Sequence, residues 1–318
     1  MGVQVVLLIS YMLIFAAALM LVAFGGMFSE RSGVINIGLE GIMVVGGFFG
    51  IVTLNGLVSA GAPAFIIIIV TILAAIAAGM VYSLLLAVVC INFKADQTLV
   101  GTAMNLLATA VAIMFAKKIS GGDATTIAYV KENFVFKIGL MELNIFLIIG
   151  IVVLIAAIIV LYKLKFGLRL RSCGENPSAA DAVGINVTKY RYFGVLISGA
   201  LAGLGALAYI LPTSSYWNST TGVAGFGFLA LAVMIFGQWK PVRIAVISLI
   251  FSFFMSLSYV YSGLFNAAFD IILGPSVGVT PELFRMIPYI ASLILLAFTS
   301  KKSRAPKAEG IPYDKGSR

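Results

Sequence analysis

A carboxylate inside an apolar run is the first residue of this chain that could do chemistry. Glu40 lies in Ser29-Glu30-Arg31-Ser32-Gly33-Val34-Ile35-Asn36-Ile37-Gly38-Leu39-Glu40-Gly41, within the apolar stretch 34–54. A charge in hydrocarbon is costly, so it must face a cavity or a partner group, or take a proton. Asn36, four residues earlier, projects to the same side of a helix. Gly33, Gly38 and Gly41 let the backbone break and turn amides toward a polar solute or toward Glu40 itself. Two readings stand together. Glu40 and Asn36 contact a polar solute, or Glu40 satisfies the orphan amides of a discontinuous helix.

Gln97, Thr98, Thr102, Asn105 and Thr109 recur at three- and four-residue steps. They form a polar stripe on one helix, and such a stripe faces protein or water, not lipid. In Thr221-Gly-Val-Ala-Gly-Phe-Gly-Phe228, Phe226 or Phe228 could stack on a flat ligand, or the glycines could simply pack a helix tightly. The basic segment 163–191 holds a complete short-helix signature. Asn176 caps, Pro177 takes the first position, and Gly184 ends the helix in the left-handed region. The expected helix, 177–183, is roughly 10 Å long and must pack on something to persist. Ala179, Ala180, Ala182, Val183 and Ile185 would give it an apolar surface, suited to a soluble partner or to the chain's own membrane body.

Other chemistry is excluded. The chain has no His, which removes His-based triads, His metal sites and the usual proton shuttle. It has no G-x-x-x-x-G-K-[ST], so it binds no ATP by a P-loop. No carboxylate pair shares a run with a nucleophile, so neither catalytic residues, a metal nor a cofactor is expected. The Cys90 and Cys173 positions do not suggest a disulfide.

The elements that position these residues are membrane helices. The 318 residues are 61% hydrophobic and 10% charged, with mean hydropathy +1.11, a balance no soluble domain has. Nine apolar stretches run over 3–25, 34–54, 64–91, 97–116, 144–162, 191–211, 222–237, 243–261 and 284–299. The expected fold is all-α: a polytopic membrane bundle of about 8–10 spans, with one or two broken or re-entrant helices. The Gly-rich stretches 34–54 and 222–237 are the candidates for breaks. All Lys and Arg except Lys117, Lys118, Lys131, Lys137 and Arg285 fall on 26–33, 92–96, 163–191, 237–243 and the tail. Those segments alternate along the chain, which places them in the cytoplasm and the N-terminus outside. Residues 117–143 read as a surface cap and 262–283 as an outer loop. Residues 300–318 form a basic tail, expected to be disordered. Gly46-x-x-x-Gly50 and Gly199-x-x-x-Gly203 allow close helix packing, inside one subunit before a dimer seam. Tyr162, Tyr209, Tyr216, Trp217, Trp239 and Tyr289 sit near span ends, as interfacial aromatics do.

Segments 29–41 and Gly174-Glu-Asn-Pro-Ser-Ala-Ala-Asp-Ala-Val-Gly-Ile185, with Asp96-Gln97 and 225–237, resemble the inner-membrane permeases of bacterial ABC importers. The nearest branch serves nucleosides and simple sugars and is related to ribose and branched-chain amino acid permeases. The resemblance implies a multi-pass permease domain over 1–299 in the bacterial inner membrane, with the 300–318 tail on the cytoplasmic side. It implies that 174–185, with Gly174, Glu175, Asn176, Pro177, Ala179, Ala180 and Gly184, couples to a cytoplasmic ABC ATPase. It further implies a second, different permease subunit, a substrate-binding lipoprotein or binding protein, membrane lipid around the spans and no nucleic acid. The expected function is nucleoside transport, with Asn36, Glu40, Gln97, Asn105 and Phe226 on the path; ribose or another sugar is the alternative. Two other classes are open to the residues: a secondary transporter using Glu40 as its ion-coupled carboxylate, and a channel subunit.

Overall fold

A computed structural model describes residues 2–122, 125–138, 141–273, 286, 290 and 305–315. Its long helices are α1 (Gly2–Arg31), α2 (Leu39–Ser59), α3 (Ala64–Ala87), α4 (Gln97–Ser120), α5 (Ile145–Tyr162), α8 (Val187–Thr213) and α10 (Pro241–Leu273). Each holds a segment long and apolar enough to cross a membrane. Three are shorter: α6 (Lys165–Glu175), α7 (Pro177–Ala182) and α9 (Phe226–Phe236). The ninth apolar stretch, 284–299, lies outside the described residues except for Met286 and Ile290. So do Tyr289 and the outer-loop residues from 274 to 283.

Both Gly-rich stretches are broken. Residues 32–38 are non-helical between α1 and α2, and α9 has only 11 residues. At about 1.5 Å per residue α9 spans roughly half of a bilayer core.

The centre is α8, the most enclosed span. It packs against α1, α2 and α3. Glycines make this possible. A Cβ at Gly46 would lie 2.6 Å from Gly203 Cα, and one at Gly203 would run into the Ala75 carbonyl oxygen. A Cβ at Gly79 would strike the Gly199 carbonyl. Both expected glycine motifs therefore meet within one chain, at the α2–α3–α8 seam. By contrast α3, α4 and α5 turn most of their side chains outward, and Ile148, Ile151, Val152 and Ile155 of α5 are exposed.

The loops sort to two ends. At one end β1 (Thr126–Ala128) pairs antiparallel with β4 (Tyr216–Asn218), and β2 (Val135–Ile138) pairs with β3 (Met141–Asn144). The Tyr129 hydroxyl donates to the Ile210 carbonyl at 2.8 Å, and Phe134 stacks on Phe146. The described parts of the 117–143 segment are thus fastened to the chain's own helices. At the opposite, basic end Arg31, Lys94, the α6–α7 segment and the α9–α10 turn gather together. This sorting follows the alternation of charged loops along the chain.

Four local expectations change. Residues 262–273, read as part of an outer loop, continue α10 as helix, because their Phe, Ile and Leu extend the apolar span. Trp217 and Trp239 are buried, not interfacial: each indole N–H has a polar partner, Ser219 Oγ and Glu30 Oε2. The 163–191 segment carries an additional helix, α6, which buries Gly167, Leu170, Cys173 and Gly174 against neighbouring elements. Residues 305–315 of the tail are docked on the basic end, not disordered. Local polarity argued for disorder, but backbone groups and one Tyr ring find buried partners there. Cys90 and Cys173 are buried and free, and burial pushes the Cys173 thiol up to about 11.

Candidate functional site

The α1–α2 break exposes backbone groups that need partners. Ser29 Oγ donates to the Val34 carbonyl at 2.7 Å, which turns the chain out of α1. The α4 helix supplies the rest. Gln97 Oε1 accepts from the Ile35 amide at 2.6 Å. Asn105 Oδ1 accepts from the Gly41 amide at 2.8 Å, and its Nδ2 donates to the Ile37 carbonyl at 3.1 Å. Gly38 and Gly101 sit where the two backbones touch, and a Cβ on Gly101 would lie 3.0 Å from the Gly38 nitrogen. The polar stripe on α4 therefore has two parts. Gln97 and Asn105 hold the break, while Thr98 and Thr102 are exposed and Thr109 is half-buried. The Thr102 and Thr109 hydroxyls donate back to their own helix.

Glu40 stands in the first turn of α2 and meets the first turn of α9. Its Oε1 accepts from the Gly225 amide at 2.8 Å and its Oε2 from the Gly227 amide at 2.6 Å. Gly225 has φ of +82°, and Gly227 sits so close to Glu40 that a Cβ would lie 2.6 Å from Glu40 Cα. Two helix N-termini thus converge on one carboxylate. Each carries about half a positive charge, which the carboxylate offsets. The amides that Glu40 satisfies belong to a helix 185 residues further along the chain.

The other candidates lie around this centre. Asn36 is fully buried and donates to Ser198 Oγ at 2.8 Å. Phe226 is buried against Tyr209, their ring centroids 4.3 Å apart, while Phe228 is exposed. Among the five path candidates, Glu40 and Asn105 keep partial exposure; Asn36, Gln97 and Phe226 are enclosed by protein. Asn105→Leu is expected to leave the bundle folded but free the Gly41 amide and Ile37 carbonyl. Hydrogen exchange at 37–41 should rise by about tenfold or more, for a local loss of about 1–3 kcal/mol. Unchanged exchange would remove Asn105 from this role.

At the basic end, α7 has the cap and stop expected of it. Asn176 Oδ1 accepts from the Ala179 amide at 3.0 Å, Pro177 is at the first position, and Gly184 has φ of +81°. The helix has two faces. Ala180 is buried against Cys173 and Val187. Glu175, Asn176, Ala179, Ala182, Val183 and Gly184 are exposed, Val183 at 75%. Gly174 belongs to the inner side: a Cβ there would strike the Arg31 carbonyl. Glu175 Oε1 lies 4.0 Å from Arg31 Nη1, at the C-terminus of α1.

The Glu30-Arg31 pair at that terminus has a role that sequence reading left unassigned. Glu30 Oε2 accepts from Trp239 Nε1 at 2.6 Å, and Arg31 Nη2 donates to the Trp239 carbonyl at 3.0 Å. Gln238 and Trp239 both have positive φ, 51° and 53°. The α9–α10 turn is thereby gripped by the end of α1. An adjacent acid and base just before the break were the only signal in the sequence.

Residues 8–296 match the family described as branched-chain amino acid transport system / permease component. The chain is 39% identical to the guanosine ABC transporter permease protein NupQ of Bacillus subtilis, covering 96% of each chain. It is 38% identical to the nucleoside ABC transporter permease protein NupC of Lactococcus lactis, covering 97% of each. A second permease protein of that organism, NupB, is 27% identical over 55% of this chain and 46% of its own length. No solved structure matches the chain.

Proposed function

The chain belongs to the permease-component family of branched-chain amino acid transport systems, and from that membership we propose that it carries nucleosides as the membrane subunit of an ABC importer. The observation that carries the substrate is near full-length similarity to two permeases named for guanosine and nucleosides. The site suits an uncharged solute. Glu40 already neutralises the two converging helix ends, so they ask for no anionic group from the cargo. The path runs beside Glu40 and the Thr102–Asn105–Thr109 side of α4, where polar groups retain exposure. Asn36, Gln97 and Phe226 line this region from behind and hold its shape.

The basic end faces the cytoplasm, by the excess of Lys and Arg there. ATP is hydrolysed by a separate cytoplasmic ATPase that seats on the outward face of α7. A second, different permease completes the membrane domain, as the likeness to both NupC and NupB suggests. A binding protein or lipoprotein delivers solute at the other end, and the membrane is the bacterial inner membrane. Energy enters as motion of α7 and leaves as tilting of spans about the α1–α2 break.

The test is on α7. Val183→Asp places a charge on the exposed apolar face, and Gly184→Val forces a branched residue into the left-handed region. Both are expected to lower copurification of the ATPase and uptake of labelled guanosine by about tenfold or more. Normal association and uptake in both variants would sink the docking role. Uptake that ignores ATP but collapses with the ion gradient would instead assign Glu40 to ion coupling.

A further inference from the structure

The tail carries an inference that rests on the coupling role of α7 and extends it. Residues 305–315 run across the basic end and touch each element that an ATPase-driven motion must link. The Ala308 amide donates to the Gly174 carbonyl at 2.8 Å, at the root of α7. Ala308 is buried, and its carbonyl lies close to Gly33 in the α1–α2 break. Gly310, at φ +75°, sits against Ile35 of the same break. The buried Arg191 of α8 donates from Nη1 to the Ile311 carbonyl at 3.0 Å. Tyr313 packs with Cys173, Ala180 and Val187, the cluster under the inner face of α7. Lys94 meets Asp314 at 2.9 Å, and Lys315 meets Asp181 of α7 at 3.5 Å.

These contacts are unequal. The Lys94–Asp314 pair is half-exposed on both sides and the Lys315 end of the other pair is open to solvent, so the two pairs are worth little. The Arg191 bond is different. A buried guanidinium needs an acceptor, and the Ile311 carbonyl is the one it has among the described residues. The Tyr313 ring and the buried Ala308 add apolar contact. The tail is therefore held by buried groups at three points: Gly174, Arg191 and the Cys173–Ala180–Val187 cluster.

We infer that the C-terminal segment 305–315 is a positioning strap. It makes the coupling helix and the α1–α2 break one mechanical body, so that motion of α7 reaches residues 33–41. The geometric reason is the joining of Gly174, Gly33 and Ile35 through one short stretch, Ala308–Gly310. Among the described residues, the other links from α7 to the break are the long Arg31–Glu175 contact, the close approach at Gly174, and α8, which sets Val187 on Ala180 and Arg191 beside Gly33; none of them joins Gly174, Gly33 and Ile35 in one short stretch.

The test uses the full chain assembled with its ATPase. Ala308→Pro deletes the amide donated to Gly174, and Tyr313→Ala empties the cluster under α7; Tyr313→Phe keeps the ring and serves as control. Copurification of the ATPase, guanosine uptake per ATP hydrolysed, and hydrogen exchange at 174–184 and 33–41 are measured with and without ATP. All variants are expected to retain the ATPase. In the unaltered and Tyr313→Phe chains, ATP should change exchange in both segments. In Ala308→Pro and Tyr313→Ala, the change should persist at 174–184 and vanish at 33–41, with uptake per ATP down about tenfold. Exchange at 33–41 that still follows ATP in both variants overturns the strap. Loss of the ATPase from Tyr313→Ala also overturns it, because the tail would then be part of the docking surface itself. Absence of guanosine uptake in the unaltered complex counts against the substrate alone, since the exchange measurement involves no solute.

Discussion

Glu40→Leu is expected to abolish correctly folded permease, whereas Glu40→Gln is expected to retain the fold and lose part of its uptake. The carboxylate uses one oxygen for each of two amides, those of Gly225 and Gly227. Leu leaves both amides without an acceptor in a part-buried site, at a cost of about 2–6 kcal/mol. It also leaves two helix N-termini facing one another with nothing between them. Gln keeps one acceptor and turns an NH2 group toward the second amide, so it forfeits about half of that sum. Monodisperse yield after detergent extraction reads folding, and labelled guanosine uptake per folded molecule reads function. A Leu variant that folds and transports normally would show that the α2–α9 junction does not depend on this carboxylate. Equal, severe loss of uptake in both variants with folding intact would place Glu40 in direct contact with solute.

The second large effect is expected at Gly203. Val at this position directs its side chain into the Ala75 carbonyl, and Gly46 and Gly79 block any retreat from the other sides. The α2–α3–α8 seam must part or α8 must shift, for a loss of about 3 kcal/mol or more. Gly56→Ala, in α2 with nothing near the added methyl, is the matched control and should be neutral or slightly stabilising. Thermal unfolding in detergent should show a clear drop for Gly203→Val and none for Gly56→Ala. Equal stability of the two variants would mean that the seam is looser than its spacing implies. The effect extends to function, because α8 carries Ser198 behind Asn36 and Arg191 above the tail.

The two broken segments show how far sequence reading reached. Gly33, Gly38 and Gly41 announced a break, and the glycines of 221–227 announced another. Their joining by Glu40 was not legible, since nothing in residues 29–41 points to Gly225. The polar stripe of α4 was legible as a stripe, yet its residues divide between holding the backbone and facing outward. The apolar surface expected for α7 was similarly half right: Ala179, Ala182 and Val183 face out, and Ala180 faces in. A helix of six residues shows two faces only after its neighbours are in place.

The sequence by itself determined the class, a membrane bundle of helices with little strand, the alternation of ends, and the cap, first-position proline and glycine stop of the short helix. These are set by hydrophobic length, by charge on successive loops and by hydrogen bonds that reach three residues. Only the tertiary structure decided which amides Glu40 serves, that Glu30 and Arg31 hold the turn at Trp239, and that a polar tail lies docked under α7. Each of these joins groups from distant parts of the chain. Which buried donor finds which acceptor depends on how the spans pack, and that packing is set by the glycines of the α2–α3–α8 seam acting together.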